Sequence, residues 1–201
     1  MAFEIEKKFI LTDRQKVKLL EGAEFLGEKV FVDAYYDNEQ FSLGMNDMWL
    51  RKRDNEFNLK IPMREQQGEM INKYHEVEGE MAIREIFAIP VVGTFEQDLE
   101  SFGHKPFCIF QTKRKKYEKE GFIIDLDEAD FGDWQYGLAE IELLVETKEE
   151  MKEAEERIYE FAKKHDLEIM HVRGKLLEFI KRKIPDFYAR MIADGVAFEN
   201  K

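Results

Sequence analysis

The chain has 201 residues, 43 of them acidic and 31 basic, and a formal net charge of −12 at neutral pH. Apolar residues make up 44% and aromatic residues 13%, enough for a packed core and too many for a disordered chain. The negative balance argues against nonspecific binding to a nucleic-acid backbone and at first sight against polyanionic ligands, while the single cysteine, Cys108, excludes an intrachain disulfide and points to a reducing compartment.

Residues 2–10 alternate, Phe3 and Ile5 against Glu4, Glu6 and Lys8, and this period of two predicts a strand. Thr12 or Asp13 offers an N-cap for a helix running to about Leu26, with Gly27 as its stop. Residues 30–37, rich in aromatic and β-branched types, predict a strand, and 47–54 with 56–62 predict a hairpin turning at Asp54-Asn55. A strand over 70–78 precedes two helices, about 80–88 and about 94–102, the second stopped by Gly103. Strands at about 107–117, 121–127 and 138–146 follow, the first two joined near Glu120-Gly121. Thr147 to about His165 reads as a helix with glutamates interleaved with Lys152 and Arg157, and from about Lys175 two short helices are broken before Pro185. No repeat, linker or low-complexity tract interrupts the chain, so one domain over 1–201 is expected. About eight mostly antiparallel strands with inserted helices make an α+β pattern that can close an eight-stranded barrel.

The strand faces carry the signal. Glu4, Glu6 and Lys8 share a face, as do Trp49, Arg51 and Arg53, Asn58 and Lys60, Thr112, Arg114 and Lys116, Asp125 and Asp127, and Glu140 and Glu142. Any one of these reads as a solvated sheet face. The helices, however, carry apolar stripes that need a sheet to cover, and both demands are met if helices pack outside and the charged faces line a polar interior, where charges must be paired or metal-bound. Cations beside carboxylates suit a phosphate chain with a divalent metal: arginine grips phosphate oxygens bidentately and carboxylates are hard ligands for Mg²⁺. On periodicity alone, a network of interstrand salt bridges explains the pattern equally well.

Glu4-Ile5-Glu6-Lys7-Lys8 resembles the E-x-E-x-K signature of the CYTH superfamily, the triphosphate tunnel metalloenzymes. Trp49-Leu50-Arg51-Lys52-Arg53 resembles its R-x-R strand, and Leu59-Lys60-Ile61-Pro62, Lys113-Arg114, Asp125-Leu126-Asp127, Glu140-Ile141-Glu142 and Gly174-Lys175-Leu176 follow in family order. Within the superfamily the chain is most similar to the thiamine triphosphatases. That likeness rests on Asp33-Ala34-Tyr35-Tyr36-Asp37, the tryptophan before R-x-R, the run Asp125 to Gly132, and Pro185-Asp186-Phe187-Tyr188. It departs from them around Asp133-Trp134-Gln135, which reads as an insertion, and in a shorter loop before Asp125.

The resemblance implies a closed eight-stranded antiparallel β-barrel with helices packed outside, the helices at about 175–195 closing one end. It implies Mg²⁺-dependent hydrolysis of thiamine triphosphate to the diphosphate and phosphate, Mn²⁺ being a second candidate metal. Carried over, the substrate set is Lys8, Arg51, Arg53, Lys60, Arg114 and Lys175, with Trp49 stacking on the thiazolium. The metal set is Glu4, Glu6, Glu76, Asp125, Glu140 and Glu142, with Glu78 an alternative to Glu76, and Glu140, Glu142 and Lys8 carry the catalytic roles. Competing readings are an inorganic tripolyphosphatase or a class IV adenylyl cyclase of the same fold, and a silent organic-phosphate-binding module. The charged N-terminus and the lack of any apolar run near the ~20 residues that span a bilayer lead us to expect a soluble cytoplasmic protein, and a monomer is expected. Its partner would be a small triphosphate, with no nucleic acid or membrane.

Overall fold

The structure, a computed structural model, describes residues 3–63 and 71–199; the expected strand starts at residues 2 and 70 lie outside them. Among the described residues there are eight strands: β1 (Phe3–Phe9), β2 (Glu24–Asp37), β3 (Trp49–Arg53), β4 (Glu56–Pro62), β5 (Asn72–Glu78), β6 (Lys105–Lys119), β7 (Phe122–Asp130) and β8 (Gln135–Val145). They close an antiparallel barrel in the order β1-β5-β4-β3-β2-β6-β7-β8. Six helices accompany them: α1 (Asp13–Leu20), α2 (Glu80–Phe87), α3 (Phe95–Ser101), α4 (Met151–Lys164), α5 (Lys175–Lys183) and α6 (Pro185–Ala193).

The helix starts follow local chemistry. Thr12 and Thr94 each cap a helix, their hydroxyls accepting from the N–H of Gln15 and Gln97 while those glutamines reach back to the cap backbone. Two helix boundaries differ from expectation by four residues or more, and β2 begins at Glu24 rather than residue 30. The first helix ends at Leu20, not Leu26, because Gly22 turns the chain at φ +73° and residues from Glu24 onward pair with β6, out to Glu24 opposite Glu118. The long helix begins at Met151, not Thr147, because the Glu150 carboxylate accepts from the N–H groups of Glu146 and Thr147 and holds them in a turn.

The helices cover the outer barrel wall. Ile5, Phe9, Ile124, Ile141 and Leu143 pack with Ile158 and Phe161 of α4, and Leu50, Phe57 and Leu59 pack with Ile83, Phe95 and Leu99 of α2 and α3. Each such side chain contributes about 1.5–3 kcal/mol on burial. With period two in every strand, burying these residues outward turns the charged residues inward.

Candidate active site

The inward residues surround a cavity of about 310 Å³. Its wall contains Glu4, Glu6 and Lys8 from β1, Trp49, Arg51 and Arg53 from β3, Lys60 from β4, Glu76 from β5, Arg114 from β6, Glu140 and Glu142 from β8, and Lys175 at the start of α5. These are the sequence-expected site residues except Asp125, which stands opposite Glu140 on the same sheet face but is fully buried against Arg114 and Lys116.

Strand register decides who meets whom. Asp33 stands opposite Arg53, and its buried carboxylate binds that guanidinium bidentately at 2.7 and 3.0 Å while lying 3.9 Å from Arg51. Arg51 also donates to Asn58 at 2.9 Å and to Glu76 at 3.1 Å. Lys60 reaches Glu4 at 3.0 Å and Lys8 pairs with Glu6. Arg114, opposite Asp127, holds it at 2.7 and 2.6 Å, reaches Glu140 at 2.7 Å and also pairs with Asp125. Lys175 binds Asp127 from α5.

The carboxylates divide by environment. Burial works against the charge on Glu140, but Lys175, Arg114, Lys8 and Lys60 outweigh it and hold the group well below the usual range. Burial pushes Glu6 up; burial, with Asp125 and other carboxylates adding to it, pushes Glu142 up to about 7. Glu4, Glu6 and Glu142 offer carboxylate oxygens all within 4.8 Å of one another. Three hard oxygen donors whose mutual repulsion a dication would relieve fit a divalent metal. Of the six expected metal ligands the structure brings these three within reach of one ion; all six also pair with lysine or arginine, Glu4 with Lys60, Glu6 with Lys8, Glu142 with Lys116, Glu76 with Arg51, and Asp125 and Glu140 with Arg114.

Sequence reasoning did not place Asp33 and Asp127 as partners of the arginines, nor Asp47 and Tyr74 beside Trp49. The signal was present for the first two, an acidic residue on the inward face of β2 and of β7, but the pairing depends on register. Tyr35 lines the cavity, stacked on Phe110 at 6.0 Å, and burial raises its hydroxyl to about 12. Burial in an apolar cluster raises the Cys108 thiol, leaving it a poor nucleophile.

Residues 2–169 match the CYTH domain model. The chain belongs to the CYTH family. It is 28% identical to human thiamine-triphosphatase over 94% of this chain and 89% of that protein, and the Macaca fascicularis thiamine-triphosphatase matches to the same extent. Among solved structures, the PH1819 protein of Pyrococcus horikoshii superposes with a TM-score of 0.65 at 25% identity, covering 90% of this chain and 99% of that one. A Hippeastrum protein described as an adenylyl cyclase candidate with a dominant triphosphatase activity superposes at 0.57 with 17% identity, over 90% of this chain and 96% of its own, and shares the fold. Among the described residues no helix is long and apolar enough to cross a membrane.

Proposed function

We propose that the chain is a divalent-metal-dependent hydrolase that removes the terminal phosphate of thiamine triphosphate. One observation carries the choice of substrate: Trp49 shares the cavity wall with Arg51 and Arg53 on a single strand face. An aromatic cation on the indole and a phosphate chain on the guanidinium groups can therefore be held end to end, the cation–π contact contributing about 0.5–2 kcal/mol. The likeness to two thiamine-triphosphatases supports the same choice.

Arg51, Arg53, Lys60, Lys8, Arg114 and Lys175 bind the triphosphate. In the free chain their charges are held by carboxylates, so they are ordered before substrate arrives, and phosphate oxygens replace part of those bonds. Glu140 anchors Arg114 and lies within the field of Lys8 and Lys175, orienting the cations that meet charge on the transferring phosphoryl group. Glu4, Glu6 and Glu142 would hold Mg²⁺ or Mn²⁺, which when bound withdraws charge from phosphate oxygens and lowers the pKa of water. Glu76 and Asp125 serve as partners of Arg51 and Arg114. The chain acts as one domain, with α5 and α6 closing one end of the barrel.

The test is phosphate release from thiamine triphosphate with Mg²⁺. It should stop with EDTA, and with Glu142→Gln at unchanged fold. Turnover that ignores both treatments would contradict the proposal.

A further inference from the structure

Trp49 is fixed along two edges. Its Nε1–H donates to Asp47 Oδ1 at 2.9 Å, and the same oxygen accepts from the Tyr74 hydroxyl at 3.0 Å. At the other edge the indole lies against Gly44, where a Cβ would stand 3.2 Å from Cζ3 and 2.6 Å from Cζ of Phe187. The segment carrying Asp47 is itself held. The Asp37 carboxylate accepts from the backbone N–H of Asn38, Leu43 and Gly44, and Asp47 N–H donates to Gly44 O at 3.0 Å, closing a short 3-10 turn over Gly44–Asn46. The indole lines the cavity, so these contacts fix its plane at the wall. An anionic acceptor on Nε1–H also polarises the ring and strengthens the pull of its face on a cation.

We infer that Asp47 is a positioning residue for substrate selectivity, orienting the Trp49 indole toward an aromatic or quaternary cation at the organic end of a polyphosphate. This rests on the proposed reading of the cavity and adds the group that sets discrimination between an organic and a bare polyphosphate. Asp47 bonds to Trp49 and Tyr74, and of the phosphate-binding set Lys8 is near enough for its charge to act on the carboxylate, so the loss of Asp47 falls chiefly on the organic end of the ligand.

The experiment uses the full chain with Trp134→Phe, which leaves Trp49 as its sole tryptophan. Thiamine diphosphate is titrated by fluorescence quenching, and pyrophosphate by competition against it. Asp47→Ala should weaken thiamine diphosphate about tenfold and leave pyrophosphate within about twofold. In turnover, the KM for thiamine triphosphate should rise about tenfold and that for tripolyphosphate should hold. Asp47→Asn keeps one acceptor oxygen for both donors and should restore most of the difference. Equal losses on both ligands, or no loss on thiamine diphosphate, would overturn the inference. Trp49 anisotropy without ligand separates this from failure of the functional reading. It should fall in Asp47→Ala and recover in Asp47→Asn whatever the substrate proves to be, and an unchanged value would refute the positioning role.

Discussion

Asp33 and Arg53 face each other across β2 and β3 and close a bidentate ion pair, 2.7 and 3.0 Å, with the aspartate fully buried and the guanidinium 3.9 Å above the Phe31 ring. The pair fixes the plane of an arginine that faces the cavity. Asp33→Ala leaves that cation without its partner and should cost about 3 kcal/mol in urea unfolding. Added tripolyphosphate should return part of the loss, since it brings anionic oxygens to the same fork. An equal loss with and without tripolyphosphate would mean that Arg53 does not bind phosphate.

The cluster of Glu4, Glu6 and Glu142 predicts opposite effects with and without metal. Glu142→Gln removes one of three converging carboxylates, so without divalent cation the variant should be at least as stable as the parent. With Mg²⁺ at about 100 times its dissociation constant the parent should gain about 2.7 kcal/mol and the variant much less. Thermal melts with EDTA and with Mg²⁺ check both halves.

Asp47 predicts a pH dependence of stability. Burial, opposed by the bonds from Tyr74 and Trp49 and by the charge of Lys8, raises its carboxyl from 3.8 to about 6. The folded state then binds more protons than the unfolded one between those values, so this group's contribution falls as pH rises from about 4 to about 6. Asp47→Asn removes the titration. The stability of the variant relative to the parent should therefore rise by about 2 kcal/mol between pH 4 and pH 7. A flat difference across that range would show that the carboxyl is not desolvated.

Two glycines sit where a methyl group would act differently. At Gly44 the new Cβ would lie 2.6 Å from the buried Phe187 ring, so Gly44→Ala should destabilise by about 1–3 kcal/mol. At Gly174, with φ −67°, the backbone accepts alanine, but the Cβ would lie 3.1 Å from Lys8 Cε. Gly174→Ala should therefore shift the Lys8 ammonium and lower kcat severalfold with little change in Tm. A Tm loss like that of Gly44→Ala would show that the contact is structural.

The barrel was legible because its strands alternate charge against apolar residues while the helices demand an apolar sheet face, a pair of demands that an inward-charged barrel meets, and because the motifs follow the order of the CYTH family. Helix ends were less legible. Nothing local stops the first helix at Leu20 as firmly as the pairing of Glu24 to Asp37 with β6, which is a long-range constraint. The site was legible as a set of residue types and not as a set of contacts. Which carboxylates gather and which are held by arginine depends on register, such as Glu6 opposite Glu142 and Arg114 opposite Asp127. Asp47 is two residues before Trp49 in a turn, with no alternation to mark it.

Trp49 tests the substrate assignment by a difference. Trp49→Ala should raise KM for thiamine triphosphate roughly 2- to 30-fold and leave tripolyphosphate nearly unchanged, matching the loss of a cation–π contact and no phosphate contact. Equal losses on both substrates would give Trp49 a packing role only.

Phosphate release with Mg²⁺ from thiamine triphosphate, tripolyphosphate and ATP, compared by kcat/KM, decides the substrate. Thiamine triphosphate should give the highest value, at least about tenfold above tripolyphosphate, as a cation–π contact allows. A kcat/KM for tripolyphosphate or ATP equal to or above that for thiamine triphosphate would contradict that assignment.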